Sequence, residues 1–327
     1  MDRLAELLNK HYSLDVGRIE KLPKNSTSQA YVVYADEKKY FLKELFHVRG
    51  VFDDNIEIQF EIIEHLAANG LSTIGNVKTI EGKNFFKDKG VRYILYPYFD
   101  ITGADTSDDT HLELAAEQLA LFHKVGETFK TEHEFLNEPM HKKIDDITSF
   151  SEMRDNFSRE SILAIAKKSR HPLAKRVLTD APMIMSAIVK VLKRLWSASY
   201  TKESLLHYDF NGDNLFFVDG NFFAISDFEH SHIGYLETDI AKAGKYWSEN
   251  KEDASIDVRR FKRFVHLYDR INTCSKDWKL YHALLIYVAL RRLIYAADRT
   301  MNNADLTFLY DYDIRMIRFL MENEKEF

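Results

Sequence analysis

A single cysteine, Cys274, stands in 327 residues. That excludes an intramolecular disulfide framework and suits a reducing compartment. Basic excess is missing too: 45 Lys and Arg against 51 Asp and Glu leave a net charge of -6, so nucleic acid is not the default partner. The longest clean apolar run, 283–290, is too short to cross a bilayer. The opening residues Met1-Asp2-Arg3-Leu4-Ala5-Glu6-Leu7-Leu8 read as a short amphipathic helix without the apolar stretch of a signal peptide. There is no internal repeat and no low-complexity linker. Together these absences set the expectation of a soluble cytoplasmic protein, without membrane or nucleic acid partners and long enough for two units with sizeable cores.

What is present concentrates in one stretch, His207-Tyr208-Asp209-Phe210-Asn211-Gly212-Asp213-Asn214, followed by Ser226-Asp227-Phe228. Phosphoryl transfer needs a carboxylate to orient a hydroxyl and oxygen ligands to hold a hard cation against phosphates. His-x-Asp, four residues, then Asn is the catalytic-loop spacing of kinases, with Asp209 as the base candidate and Asn214 as a metal ligand. Asp227 stands where the second metal ligand belongs. On their own, short polar residues of this kind also make loop and cap hydrogen bonds.

The intervening segment supplies a geometric check. Leu215-Phe216-Phe217-Val218 and Asn221-Phe222-Phe223-Ala224-Ile225 flank Asp219-Gly220, and Asp-Gly between apolar runs signals a two-residue hairpin. With Val218 paired to Asn221, Asn214 is expected opposite Ile225, and Asp227 shares the face of Ile225. Diagonal neighbours across strands are close enough for two side chains to share a metal cluster.

On these residues the chain resembles the aminoglycoside phosphotransferase and choline kinase superfamily of small-molecule kinases. Residues 207–214 match its catalytic loop, Asp227-Phe228-Glu229 its magnesium-binding Asp-Phe-x element, and Asp239 in Thr238-Asp239-Ile240-Ala241 its later Asp-(Leu/Ile)-Ala element. The resemblance implies an α+β, bilobal, protein-kinase-like fold. A small β-rich N-lobe over 1–96 binds nucleotide, and a larger, mainly helical C-lobe over 97–327 carries catalysis and the substrate. It implies ATP and Mg2+ as cofactors, Asp209 as the catalytic residue, and His207 and Asp239 as structural supports of the loop.

Further roles follow from the same resemblance. Ala30 to Tyr34, a charged turn at Asp36-Glu37, and Tyr40 to Lys43 read as a hairpin. Before it stand Ser26, Thr27 and Ser28, where the family's turn covers the phosphates; glycine is missing there, and an ordinary polar loop is the competing reading. Lys43 ends an apolar strand run where a kinase lysine meets the α- and β-phosphates. Its glutamate partner is chosen among Glu57, Glu61 and Glu64. The family offset from Leu66 selects Gln59, and Glu61 is taken as the nearest acidic residue. Tyr93 to Phe99, containing Tyr96 and Tyr98, suits the hinge whose backbone meets adenine. Beyond residue 110 the pattern turns helical, with Leu112 to Phe122 at helical spacing and Pro172 and Pro182 breaking up 152–200.

The acceptor is expected to be a small hydroxyl compound, with a cationic one in view because both namesake substrates are cations. Asp105, Asp108 and Asp109 offer carboxylates, though such a run also serves as capping residues. Tyr246-Trp247 and Trp278-Tyr281 offer aromatic faces, though aromatics at helical spacing are usually core. The basic stretch Lys167, Lys168, Arg170, Lys175 and Arg176 suggests an acidic ligand or simply an outer helix face. Glu229, His230 and His232 also read as a transition-metal site, but Asn214 and Asp227 favour magnesium. An aminoglycoside-type kinase leads; a choline, amino-alcohol or sugar kinase and a non-catalytic nucleotide-binding module are the alternatives.

Overall fold

A computed structural model describes residues 2–23, 28–45, 53–131, 145–150, 161–302 and 304–327. The chain forms two units, one of Met1–Ala104 with Asp213–Glu229, the other of Asp105–Gly212 with His230–Phe327. The fold is α+β, with strands dominating the first unit and helices the second.

The first unit is built on an antiparallel sheet of β1 (Val16–Lys21), β2 (Ser28–Ala35), β3 (Lys38–Leu45), β4 (Phe86–Asp88) and β5 (Val91–Pro97), in the order β1-β2-β3-β5-β4. Asp36 and Glu37, both at positive φ (50° and 61°), make the tight β2–β3 turn. Side chains alternate between faces with period two. Val33 and Ala35 of β2, Leu42 of β3, and Tyr93 and Leu95 of β5 therefore join Leu8 and Tyr12 of α1 (Asp2–Tyr12) in one core. Ala30, Val32, Phe41, Lys43 and Tyr96 share the opposite face, which lines a cavity. Gln59 and Ile63 of α2 (Asp53–Ala68) line the same cavity.

The division falls at 104/105 rather than at 96/97, and a later hairpin belongs with the first unit. Backbone bonds explain this. Strand β6 (Thr102–Gly103) pairs with β8 (Leu215–Val218), which pairs with β9 (Asn221–Ile225); Thr73 bridges Ile225, whose N–H donates to Ser72 at 2.9 Å. Asp219 and Gly220 turn at φ 49° and 75°, as an Asp-Gly hairpin requires. The register differs from the simple expectation. Val218 pairs with Asn221 and Phe217 with Phe222, but Phe216 pairs with Ala224. Phe223 is thus the extra residue of a bulge. Asn214 consequently faces Ser226, whose N–H donates to the Asn214 carbonyl at 3.0 Å.

The second unit holds a two-stranded sheet of β7 (Glu203–Leu206) and β10 (His232–Tyr235) and the short pair β11 (Glu249–Asn250) and β12 (Ser255–Ile256). Around them lie α3 (Asp109–Gly126), α4 (Ile162–Lys168), α5 (Pro172–Trp196), α6 (Leu236–Ser248), α7 (Val258–Asp269), α8 (Trp278–Met301) and α9 (Thr307–Glu322). Pro172 opens α5 at its first turn, where a missing N–H costs nothing, and the His171 side chain caps it by accepting from Leu173 N–H. Pro182 does not interrupt the helix as expected but lies inside it. Among the described residues α8 is the one helix long and apolar enough to cross a bilayer, yet its apolar side chains, Leu284, Leu285, Leu290 and Leu293 among them, are buried in the core.

Helices α6 and α7 approach closely at Gly244. A Cβ there would sit 2.8 Å from Phe261 Cε2 and 3.0 Å from its Cδ2, and Phe261 is fully buried. Gly244→Ala is expected to lower unfolding free energy by about 1–3 kcal/mol, the usual cost of overpacking, read as a shift of the urea midpoint at unchanged slope.

Candidate active site

Lys43, Ser28, Tyr96, Tyr98, Asn214 and Asp227 line one cavity of about 480 Å³ within the first unit. Ser26 and Thr27 lie outside the described residues. The cavity wall is apolar, from Leu22, Ala30, Val32, Phe41, Ile63, Ile74 and Phe216, and the polar groups Lys43, Gln59, Asn214, Ser226 and Asp227 join it. Such a volume, apolar walls and a few convergent polar groups suit a small organic ligand. Asn214 is 7% exposed, and Asp227 takes a left-handed backbone, φ 62°, a conformation aspartate tolerates better than most residues. An amide oxygen and a carboxylate are hard donors of the kind magnesium takes alongside phosphate oxygens.

Tyr96 forms part of the wall by its side chain, its ring 6.3 Å from that of Phe41 and 6.4 Å from that of Phe60. Burial pushes its phenol well above the ordinary range, with the Asp227 and Glu229 carboxylates adding to the effect, so it stays neutral. Tyr98 donates its backbone N–H to Lys39 at 3.3 Å.

Glu61 does not take the place expected of it. It lies on the exposed side of α2, whereas Gln59 faces the cavity. Two residues advance a helix by roughly 200°, so positions 59 and 61 cannot share a face. Glu57 instead accepts from Asn84 Nδ2. Lys43 Nζ lies 3.8 Å from Glu229 Oε2, with 25% and 39% of the two side chains exposed. An ion pair that accessible adds little to stability; its effect is to hold the ammonium over the cavity face of the sheet.

The second unit carries Asp209, held from beneath by a buried network. Asp239, 0% exposed at the start of α6, accepts the backbone N–H of His207 on Oδ2 at 2.7 Å and that of Tyr208 on Oδ1 at 3.0 Å. His123 Nε2 donates to the same Oδ2 at 3.0 Å, and Tyr268 OH reaches His123 Nδ1 at 2.8 Å. Burial keeps the Tyr268 phenol neutral and therefore a donor, and Asn272 Nδ2 donates to its oxygen at 3.1 Å. Every donor thus meets an acceptor, as a buried network requires. Burial alone would raise the Asp239 carboxyl, but its hydrogen bond to His123, the neighbouring imidazoles and the Tyr208 N–H outweigh it, leaving its pKa lowered. His207, fully buried between the rings of Phe122 and Phe210, accepts the Asp209 N–H on Nδ1 at 3.2 Å. His207 and Asp239 thus bond to the backbone of the loop.

Two contacts of Asp209 come from residues read quite differently from sequence or not singled out at all. Tyr246 OH donates to Asp209 Oδ1 at 3.1 Å, and Lys242 Nζ lies 3.6 Å from the same oxygen. The available signal was spacing: Lys242 and Tyr246 follow Asp239 by three and seven positions, one face of a helix. Of the aromatics read as either cage or core, Trp247 and Tyr281 are buried in the core. The acidic run is used locally. Asp108 caps α3 by accepting from Thr110 and His111, Asp105 accepts from Ser107, and Asp109 pairs with Arg260 and Arg263.

The first unit thus carries a cavity with a lysine, an asparagine and an aspartate on it, and the second an aspartate loop held by buried carboxylate bonds. Residues 18–271 match the model of the phosphotransferase enzyme family, APH. The chain belongs to that family and is a small-molecule phosphotransferase. A search of curated protein sequences found no significant match. Solved structures share the fold. Spectinomycin phosphotransferase APH(9)-Ia, in complex with ADP and spectinomycin, is 17% identical with a TM-score of 0.65, covering 100% of this chain and 98% of that one. Amicoumacin kinase hAmiN, in complex with AMP-PNP, Ca2+ and Ami, is 13% identical with a TM-score of 0.66 over 97% and 93%. A microcompartment-associated aminopropanol kinase is 12% identical with a TM-score of 0.66 over 99% and 98%.

Asp239→Asn puts an amide NH2 where the carboxylate now meets three N–H donors. It is expected to cost roughly 3–5 kcal/mol, the usual penalty for breaking a buried charged network. The folded-state pKa of Asp239 lies below the ordinary aspartate value near 3.9. Its stabilisation is therefore complete above that value and is lost as pH falls through the lower, folded pKa. Urea titrations between pH 7 and pH 2 should show an acid loss of stability that is shallower in Asp239→Asn than in the wild type.

Proposed function

We propose that the chain transfers the terminal phosphoryl group of ATP to a hydroxyl of a small molecule, with magnesium. The observation that carries this reading is the convergence of Lys43, Asn214 and Asp227 on one apolar-walled cavity of the first unit. The apolar wall suits a purine ring, the lysine a phosphate, and the two oxygen donors a magnesium ion. The ADP and AMP-PNP bound by the similar structures support nucleotide use.

ATP supplies an activated phosphoryl group, which the metal helps to neutralise as charge develops. The chain's own part is positioning and charge placement. Lys43, on the cavity face of β3, sets a positive charge where phosphate oxygens are received. Asn214 and Asp227 would hold the metal. Asp209, five residues before Asn214, accepts a hydrogen bond from the acceptor hydroxyl and takes up its proton as the new O–P bond forms and the bond from the γ-phosphorus to the β,γ-bridging oxygen breaks, ADP leaving. The acceptor is a hydroxyl compound of the aminoglycoside or amino-alcohol kind. The acidic run, Trp247 and Tyr281 no longer argue for a cation, since those side chains cap a helix, accept from Ser107, pair with arginines or fill the core.

The test is ADP release from ATP, with and without magnesium, across spectinomycin, hygromycin B, 1-amino-2-propanol, choline, ethanolamine and glucose. One class should stimulate release. Asp209→Asn should lose turnover by roughly 10²–10⁴-fold, the range for a positioned acid or base, while still binding ATP by calorimetry. Equal rates in wild type and Asp209→Asn would sink the reading.

A further inference from the structure

We propose that Lys242 and Tyr246 are positioning residues that fix the Asp209 carboxylate for phosphoryl transfer. The inference rests on the reading of Asp209 given above and assigns to α6 a second task beyond anchoring the loop backbone.

The geometry is a running match between a helix and a loop. Asp239 takes the N–H groups of His207 and Tyr208. Lys242 Nζ donates to the carbonyl of Tyr208 and stands 3.6 Å from Asp209 Oδ1. Tyr246 OH donates to that same Oδ1 at 3.1 Å, and Trp247 Nε1 donates to the carbonyl of Phe210 at 3.2 Å. Moving along α6, each contact meets the next part of the loop. Positions 239, 242 and 246 fall on one helical face, so a rigid element dictates the register of the whole segment. On the other carboxylate oxygen, Asn211 Nδ2 donates to Oδ2 at 3.2 Å.

Tyr208 shows why such a clamp is needed. Its φ is 61°, a conformation costly for a bulky side chain and kept only where the surroundings over-determine it. Here the N–H is held by Asp239, the carbonyl by Lys242 and the hydroxyl by Arg291 at 2.9 Å, and the ring lies edge-on to His232 at 4.7 Å. The Lys242 ammonium also sits 4.4 Å from the Tyr208 ring centroid, within cation–π range. Removing the ammonium releases the carbonyl of Tyr208 and one side of Asp209 together. The phenol of Tyr246 is raised by burial and by Asp209, which keeps it a neutral donor.

Side chains that only filled space would change stability and leave turnover intact. Positioning residues change kcat and leave the KM for ATP where it was, because the nucleotide cavity belongs to the other unit. The test is magnesium-dependent ADP release from ATP, with water or the most stimulating compound of the panel as acceptor. Wild type, Lys242→Met, Lys242→Arg, Tyr246→Phe and the Met/Phe double variant are compared, with Asp209→Asn as reference.

Lys242→Met should lower kcat roughly 10- to 100-fold, the scale of an ångström-sized misplacement, with the KM for ATP within about twofold of wild type. Lys242→Arg should recover most of that loss. Tyr246→Phe, which removes a single oxygen, should lower kcat about fivefold, the worth of one hydrogen bond. The double variant should resemble Lys242→Met alone, since both act through one carboxylate. If Lys242→Met does not fold, Tyr246→Phe decides by the same split. An active wild type, silenced by Asp209→Asn yet within twofold in kcat for the Lys242 and Tyr246 variants that fold, overturns this proposal alone. A wild type silent on every acceptor and on water overturns the reading of Asp209 and this proposal with it.

Discussion

One buried carboxylate governs the second unit. Asp239 has no water to solvate it, so its charge must be met by protein donors, and the donors it takes are the backbone N–H groups of His207 and Tyr208 with the imidazole of His123. Those bonds fix where the strand β7 ends and the loop begins, and the strained backbone of Tyr208 is tolerable only because the N–H on one side is held so firmly. The orientation of Asp209 follows from that. Asp209 keeps part of its carboxylate exposed, 24% of the side chain, whereas Asp239 is sealed from solvent.

In the first unit the corresponding constraint is the pleat. Because alternate side chains of a strand face opposite ways, the same three strands build an apolar core against α1 and present Lys43 to the cavity. No separate device is needed to expose the ammonium: a one-residue shift of β3 against its neighbours would bury it against α1 and expose Leu42 instead. Register is thereby under selection from two sides, packing on one face and ligand chemistry on the other.

The parts legible in the sequence were those whose chemistry is local. The Asp-Gly turn and the hairpin at Asp36-Glu37 each depend on neighbours a few residues away. What escaped depends on the choice among equivalent faces or on distant partners. The bulge at Phe223 has no signal in a run of apolar residues that would pair equally well in either register. Glu61 was preferred for its charge, whereas the helix period placed neutral Gln59 on the cavity, as the offset from Leu66 had indicated. Pro182 sits inside α5, where tertiary packing overrides local preference. Tyr246 was read as either a cage or a core aromatic, and its partnership with Asp209 joins positions far apart in sequence.

The attachment of the Asp213–Glu229 hairpin to the first unit bears on how this chain comes into being on the ribosome. Domains generally fold as they emerge, N-terminal segments first, and the five-stranded sheet has left the exit tunnel long before β8 and β9 exist. Asn214 and Asp227 can join Lys43 only after 227 of the 327 residues have been joined, and the pairings Thr102 with Phe217 and Thr73 with Ile225 close loops of more than a hundred residues, the slowest kind of contact to make. A nascent chain stalled before residue 213 therefore carries the sheet and Lys43 but neither Asn214 nor Asp227, so the cavity lacks two of its polar groups until most of the protein has been made.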